Sequence, residues 1–369
     1  MSRPRILVAG LGDTGLLTAI HLSKHADVVG ISSKPGLVSG QELGLRLSRP
    51  REWARDYWVS FDRYHRLDPV RTVHGRLTRS DLAARRVHLT GPDGATATEP
   101  YDVLVIATGV TNGFWRRPDL QTRDQVAAAI AADHERLAAA DSVIVLGGGA
   151  AAVSGALNVA TTWPDKRVDL YFPGERALSH HHGKVWSMLS TRLERLGVGL
   201  HPQHRAEIPD GFGCDEITSG KVEWSTGQSA SNAAAVLWTV GRVTPNTTWL
   251  PDELLDDDGF VVVDEYLRVP GAPGLYAIGD VAATDPLRTS ARSRADTLLA
   301  HNIQADLNGG TPKPFKPAAR RWGSVVGTQR NTLEIFTPGG QAFRIPAWSL
   351  LQPAIVRRGI YGGVRRPVN

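Results

Sequence analysis

The chain has 369 residues and a single cysteine, Cys214, so no intrachain disulfide, structural or catalytic, can form. It contains no run of about 18 consecutive apolar residues, and no membrane-spanning helix is expected. The start, Ile6-Leu7-Val8-Ala9 behind Arg3 and Arg5, loosely mimics a secretory leader but breaks too early, at Gly10, Gly12 and Asp13. With 41% hydrophobic and 21% charged residues, wholesale disorder and a coiled-coil rod are both excluded. At ~150 residues per domain the length suggests two or three domains. A soluble, cytoplasmic protein is expected. Acidic residues are absent from Ile335 to Asn369, where Arg344, Arg357, Arg358, Arg365 and Arg366 carry a charge equal to the whole chain's net +5. No nucleic-acid-binding module accompanies that basic tail, so DNA and RNA are not expected partners.

The same plan occurs twice along the chain. Arg5 to Ala9 reads as a short buried strand, followed by Gly10-Leu11-Gly12-Asp13-Thr14-Gly15 and a helical pattern through Leu16, Ala19, Ile20 and Leu22. A second strand follows at Asp27 to Ile31. Strand, Gly-x-Gly-x-x-Gly, helix, strand is a dinucleotide-binding βαβ unit. The first glycine makes the tight turn, the second lets backbone approach a pyrophosphate, and the third lets helix pack on strand. The helix start then offers amide N–H groups and a positive dipole end to the phosphates. The unit recurs as Ser142 to Leu146, Gly147-Gly148-Gly149-Ala150-Ala151-Ala152, a small-residue helix from Val153 to about Thr162, and a strand at Arg167 to Phe172. Ala152 stands where the third glycine would be and is small enough for the same packing.

Two further signals define an α/β architecture. Tyr101 to Ala107 is a continuous apolar run, as a buried parallel strand requires, and it leads into Thr108-Gly109. A near-copy runs from Ala235 to Gly241. Gly274-Leu275-Tyr276-Ala277-Ile278-Gly279-Asp280 places an acid directly after a buried strand, where its carboxylate can accept a hydrogen bond from a ribityl hydroxyl.

Gly10-x-Gly12-x-x-Gly15, Ala107-Thr108-Gly109, Gly147-x-Gly149-x-x-Ala152 and Ile278-Gly279-Asp280 resemble, in that order, the motifs of two-dinucleotide-binding flavoproteins. Finer details resemble the ferroptosis-suppressor branch of the apoptosis-inducing-factor-like family, related to type II NADH:quinone dehydrogenases. These are the stretches from Asn158 to Lys166, from Leu275 to Asp280, and from Ala300 through Phe315 to Pro317. The resemblance covers about residues 5–317.

It implies two Rossmann-like domains, the second inserted in the first, plus a small C-terminal region. The FAD-binding domain would be 1–117 and 242–317, the NAD(P)H-binding domain 118–241, and 318–369 would cover the flavin or contact membrane. Gly10, Gly12, Thr14 and Gly15 would cradle the FAD pyrophosphate, with Ser32 and Lys34 at the adenosine end. Arg46 matches an arginine used near the flavin, Thr108 and Gly109 would cross close to it, and Gly279 and Asp280 would hold the ribityl chain. Gly147, Gly149, Ala152, Glu175, Arg176 and Gly241 would face the nicotinamide nucleotide.

Two departures stand out. Ser32 replaces the acid that usually ends the second strand, and Ser154 replaces a glutamate near the nicotinamide. At the end of the second unit's second strand, Glu175 argues for NADH and Arg176 for NADPH, with Ala152 as the third small residue also favouring NADPH. The alternative is that Glu175 and Arg176 are a solvated pair in a turn, so the choice of nucleotide stays open. Redox cysteines are lacking, so electrons must leave the flavin for a diffusible acceptor, with a quinone the leading candidate and ping-pong transfer implied. A flavoenzyme of specialised metabolism and a non-catalytic nucleotide sensor are the alternatives.

Trp53, Tyr57, Trp58, Phe61 and Tyr64 have helical spacing, fitting either an acceptor cavity or core packing. His180-His181-His182 lacks spaced partner ligands and suggests no metal. The segment from Ala347 to Tyr361 mixes apolar residues with arginines, fitting either peripheral contact at the inner face of a membrane or packing on the protein's own surface, with Pro346 and Pro353 interrupting any long helix.

Overall fold

The computed structural model describes residues 3–240, 243–287 and 294–366. The first unit comprises β1 (Arg5–Ala9), α1 (Asp13–Leu22), β2 (Asp27–Ser32), α2 (Leu43–Ser48), α3 (Pro50–Tyr57), β3 (Val70–His74) and β4 (Val103–Ile106). The second comprises α4 (Arg123–Ala139), β5 (Ser142–Leu146), α5 (Ala150–Thr162), β6 (Arg167–Tyr171), α6 (Gly183–Arg195), β7 (Gly199–His201), β8 (Thr218–Val222) and β9 (Ser231–Trp238). The chain then returns through β10 (Leu275–Ala277) and α7 (Ala295–Asn308) to a hairpin sheet of β11 (Thr328–Gln329), β12 (Thr332–Phe336) and β13 (Ala342–Ile345). It closes with α8 (Trp348–Gln352) and a wide helical stretch at Pro353–Ile360.

Two five-stranded sheets result, β10-β4-β1-β2-β3 and β7-β6-β5-β9-β8. The first is parallel throughout, and in the second only β8 runs antiparallel. Parallel strands covered on both faces need unbroken apolar runs, and Ile6 to Ala9, Val103 to Ile106 and Val143 to Leu146 are all buried. The expected strands at Arg5–Ala9 and Ser142–Leu146 match residue for residue. Helix α5 begins three residues earlier than the pattern suggests, because Gly149 takes extended backbone at the N-cap and the alanines after it are helical at once. The strand expected at 235–241 instead spans Ser231–Trp238, and Gly241 lies outside the described residues.

The hydrophobic cores do not follow the expected domain boundaries. Leu43, Leu47 and Trp115 from the first unit, and Val325, Val326 and Phe336 from the C-terminal region, share one core with Val153 and Leu157 of α5. Asn158, fully buried on α5, fastens this junction. Its Nδ2 donates to the carbonyls of Ser154 (2.9 Å) and Val326 (3.0 Å), and its Oδ1 accepts from Arg49 Nη2 (3.2 Å) and Gln329 Nε2 (2.9 Å). Among the aromatic residues of the stripe at 53–64, Trp53 and Tyr64 are fully buried core residues, which settles their role as packing.

An Asn158→Ala variant removes these four bonds from a buried junction, and should lose about 2–4 kcal/mol of stability. Urea unfolding monitored by tryptophan fluorescence measures this; an unchanged midpoint would show that the junction does not depend on Asn158.

Candidate functional site

A cavity of about 830 Å³ opens at the carboxyl ends of β1, β2 and β4 and reaches across to the start of α5. Ligands of open α/β sheets bind in such crevices. The first glycine turn forms one end of it. Gly10 has φ +103°, and a Cβ there would strike the carbonyl of Ala107; a Cβ on Gly15 would strike the carbonyl of Gly10. Gly12 behaves differently. It is exposed to the cavity, and nothing lies within 4 Å of where its Cβ would be. No side chain caps α1 there, so the helix start presents its amides and positive dipole end to the crevice.

The wall continues through Thr14, Ser32, Lys34, Thr108, Gly109, Gly279 and Asp280, which brings most of the expected FAD set into one cavity. Thr108 Oγ1 is buried with no hydrogen-bond partner among the described residues, as a hydroxyl reserved for a ligand would be. Asp280 accepts from Arg116 Nη2 at 2.9 Å. Ser32 Oγ accepts from the Lys34 amide at 3.2 Å, while Lys34 Nζ donates to the carbonyls of Arg117 and Asp119, both at 2.8 Å. Burial pushes the Lys34 ammonium down to about 8, with nearby Asp119 opposing the shift. These residues fit FAD: a glycine with open space beside it, an uncapped helix start, an unpartnered hydroxyl and a carboxylate line one slot.

Several wall residues carry no short motif. Asp13 accepts Ser39 Oγ through both carboxylate oxygens (2.8 and 3.0 Å), and burial raises its pKa against the pull of that bond and of Arg116. Trp115, Arg116 and Trp249 come from loops, and Arg321, Ser324 and Val325 from the C-terminal region. A polar or apolar loop residue gains such a role only from the tertiary fold; Trp115 and Trp249 were legible only as large aromatics outside any element.

Arg46 is a correction. It does not line the cavity but lies beneath it, 6% exposed, donating Nη1 to the carbonyl of Trp115 (3.0 Å) and stacking over Trp53 at 5.3 Å. Burial lowers its pKa to about 10 and raises that of facing Asp133 to about 6. It braces a wall residue, and its buried Nε has no hydrogen-bond partner among the described residues.

The second glycine turn repeats the first. Gly147 has φ +131° and packs on Thr239, Gly149 faces open space, and Ala152 is fully buried against the sheet. These three do not line the large cavity; Ala150, Ala151 and Ser154 of the same turn and helix do. Ser154 is 1% exposed, and its Oγ accepts from the Gly44 amide at 3.2 Å. Neither Glu175 nor Arg176 ends the strand as expected. Strand β6 stops at Tyr171, Phe172 follows it buried in the core, and the exposed Glu175 and Arg176 lie further on in a turn. That turn folds back so that the Leu178 amide bonds the carbonyl of Gly148. Cys214 is buried on the far face of the second sheet among Ile144, Trp224 and Trp238, and burial raises its thiol pKa. No cluster of metal-ligating residues occurs among the described residues.

Two parallel sheets, two glycine turns and the slot between them define a flavoprotein oxidoreductase that uses two dinucleotides. The model of the pyridine nucleotide-disulphide oxidoreductase family matches residues 4–302, and the chain belongs to that family. Its cofactors are FAD and NAD(P)H. It is 28% identical over 294 residues to oxidoreductase ptaL of Pestalotiopsis fici, covering 78% of this chain and 75% of that one. It is 24% identical to ferroptosis suppressor protein 1 of Xenopus tropicalis (85% and 84% covered) and 25% identical to the type II NADH:quinone oxidoreductase Ndh of Mycobacterium tuberculosis (67% and 60%). Among solved structures, reduced Bacillus anthracis CoADR-RHD shares the fold, with a TM-score of 0.68, 16% identity, and coverage of 96% of this chain and 64% of that chain.

Because no protein atom lies near its missing Cβ, Gly12→Val should leave the thermal midpoint of the apoprotein nearly unchanged while abolishing flavin retention. Visible absorption after gel filtration reads the second effect, and a yellow variant would contradict the assignment.

Proposed function

We propose that the chain oxidises NAD(P)H through bound FAD and passes two electrons directly to a quinone. One observation carries this reading: the cavity contains no thiol, and the sole cysteine is buried on the far side of the second sheet. A disulfide relay is therefore absent, and the acceptor must reach the flavin itself. The names of relatives that include ferroptosis suppressor protein 1 and a type II NADH:quinone oxidoreductase support a quinone.

When bound, FAD would supply the redox chemistry of two-electron exchange with a nicotinamide nucleotide and an acceptor. The protein binds, orients and excludes water. Gly10, Gly12, Thr14 and Gly15 would hold the pyrophosphate on the start of α1; Ser32 would meet the adenosine ribose with a neutral hydroxyl in place of the usual carboxylate, beside Lys34, whose ammonium is bonded to backbone carbonyls. Thr108 would donate its free hydroxyl, and Asp280, oriented by Arg116, would accept from the ribityl chain. The second unit, 118–241, would carry the nicotinamide nucleotide on Gly147, Gly149 and Ala152. Phe172 at the strand end provides no carboxylate to repel a 2′-phosphate, which supports use of both NADH and NADPH.

No helix of the described residues is long and apolar enough to cross a membrane. Leu350, Leu351, Ile355 and Ile360 are exposed near the exposed Arg358, and this mixture supports peripheral contact with an anionic bilayer in which a quinone dissolves.

Steady-state oxidation of NADH and NADPH with a water-soluble quinone tests the reading. Cys214→Ser should retain turnover within about twofold of the parent, since the thiol takes no part. Loss of quinone reduction in that variant alone would overturn it. Leu350→Glu should slow turnover only when the quinone is delivered in anionic vesicles.

A further inference from the structure

A second cavity, of about 360 Å³, lies where three separate stretches of chain meet. The loop from Arg176 to Gly183 forms most of it, Leu287 of the returning first unit borders it, and Ala319 and Arg320 of the C-terminal region close it. Arg176, Arg320, Ser179 and three histidines, His180 to His182, are among its lining residues, and no acidic residue is among those described. Glu175 and Asp285, the acids nearest in sequence, are not in the wall.

The surrounding bonds fix several of these groups. Arg176 Nη2 donates to the carbonyl of Ser179 at 3.2 Å, and its Nη1 lies 3.8 Å from where a Cβ on Gly183 would stand, so the guanidinium crosses the first turn of α6. His182 caps that 13-residue helix by accepting the Lys184 amide on Nδ1 at 3.2 Å. Nε2 of the neutral ring therefore carries the proton and is a donor. The Arg321 amide bonds the carbonyl of His180 at 2.9 Å, tying the C-terminal segment to the histidine loop. Two arginines and three histidines thus converge on one hollow beside the capped start of α6.

We propose that this cavity binds a phosphate monoester group of a small molecule. A phosphate monoester carries about −1.5 to −2 charges near neutral pH and three acceptor oxygens, which two arginines and the neighbouring histidines match. A cavity this large also has room for part of the molecule that carries the phosphate. The site adjoins the large cavity, because Arg320 faces the small cavity and its neighbour Arg321 lines the large one. Two sources supply this chemistry: the 2′-phosphate of NADPH, or a separate phosphorylated ligand seated beside the redox site. The inference does not depend on the identity of the electron acceptor.

Isothermal titration of inorganic phosphate into the flavin-loaded protein, in a phosphate-free buffer at constant ionic strength, tests it. Saturable binding is expected, weakened about tenfold or more in Arg320→Gln and in Arg176→Gln, both exposed residues whose replacement spares the core. Exposed Arg79 lies outside this cavity, and Arg79→Gln should bind as the parent does. If the donor supplies the phosphate, inorganic phosphate raises KM for NADPH but not for NADH; if a separate ligand does, neither KM changes. Both patterns sustain the site and name its source. Absence of saturable binding, or equal affinity in the parent and both cavity variants, overturns the proposal.

Discussion

The molecule depends on how closely α2 approaches α5. Gly44 sits against the carbonyl of Ser154, a Cβ at Gly44 would collide with it, and the Gly44 amide bonds Ser154 Oγ. That approach holds α2 of the first unit directly against α5, whose Ser154 lines the cavity. It also accounts for serine at position 154. The site is 1% exposed and lies beneath the backbone of α2, where an ionised carboxylate would be costly to bury. The serine hydroxyl satisfies the amide without adding charge.

Charged groups around the slot are held by fixed partners. Asp280 is matched by Arg116, and Asp13 is held by Ser39 in a setting that raises its pKa. Lys34 is spent on two backbone carbonyls of the crossover to the second unit, which fixes where the chain leaves the first. The wall is thereby preorganised before any ligand arrives, and its open features are the bare helix start at Gly12 and the hydroxyl of Thr108.

Much of this was legible in the residues alone, for a local reason. A glycine turn between strand and helix is encoded within about fifteen residues, so Gly10 to Gly15 and Gly147 to Ala152 declare their geometry without help from the rest of the fold. Roles decided by distant partners were not legible. Arg46 carries a family pattern, yet its bond to Trp115 and its burial facing Asp133 draw it out of the site. Glu175 and Arg176 were placed at a strand end that comes earlier, at Tyr171, because the apolar Phe172 extends the hydrophobic run without pairing as strand. The shared core of α2, α5 and the C-terminal strands involves residues almost 300 positions apart, from Leu43 to Phe336, which no periodicity records.

The central claim is that one slot holds a flavin that exchanges electrons with both a nicotinamide nucleotide and a freely diffusing acceptor. An anaerobic visible spectrum of the purified protein, titrated first with reduced nicotinamide nucleotide and then with quinone, addresses it directly. The account predicts a yellow protein that bleaches on the first addition and regains its colour on the second. A protein that stays colourless after incubation with FAD, or one whose colour responds to neither addition, would contradict it.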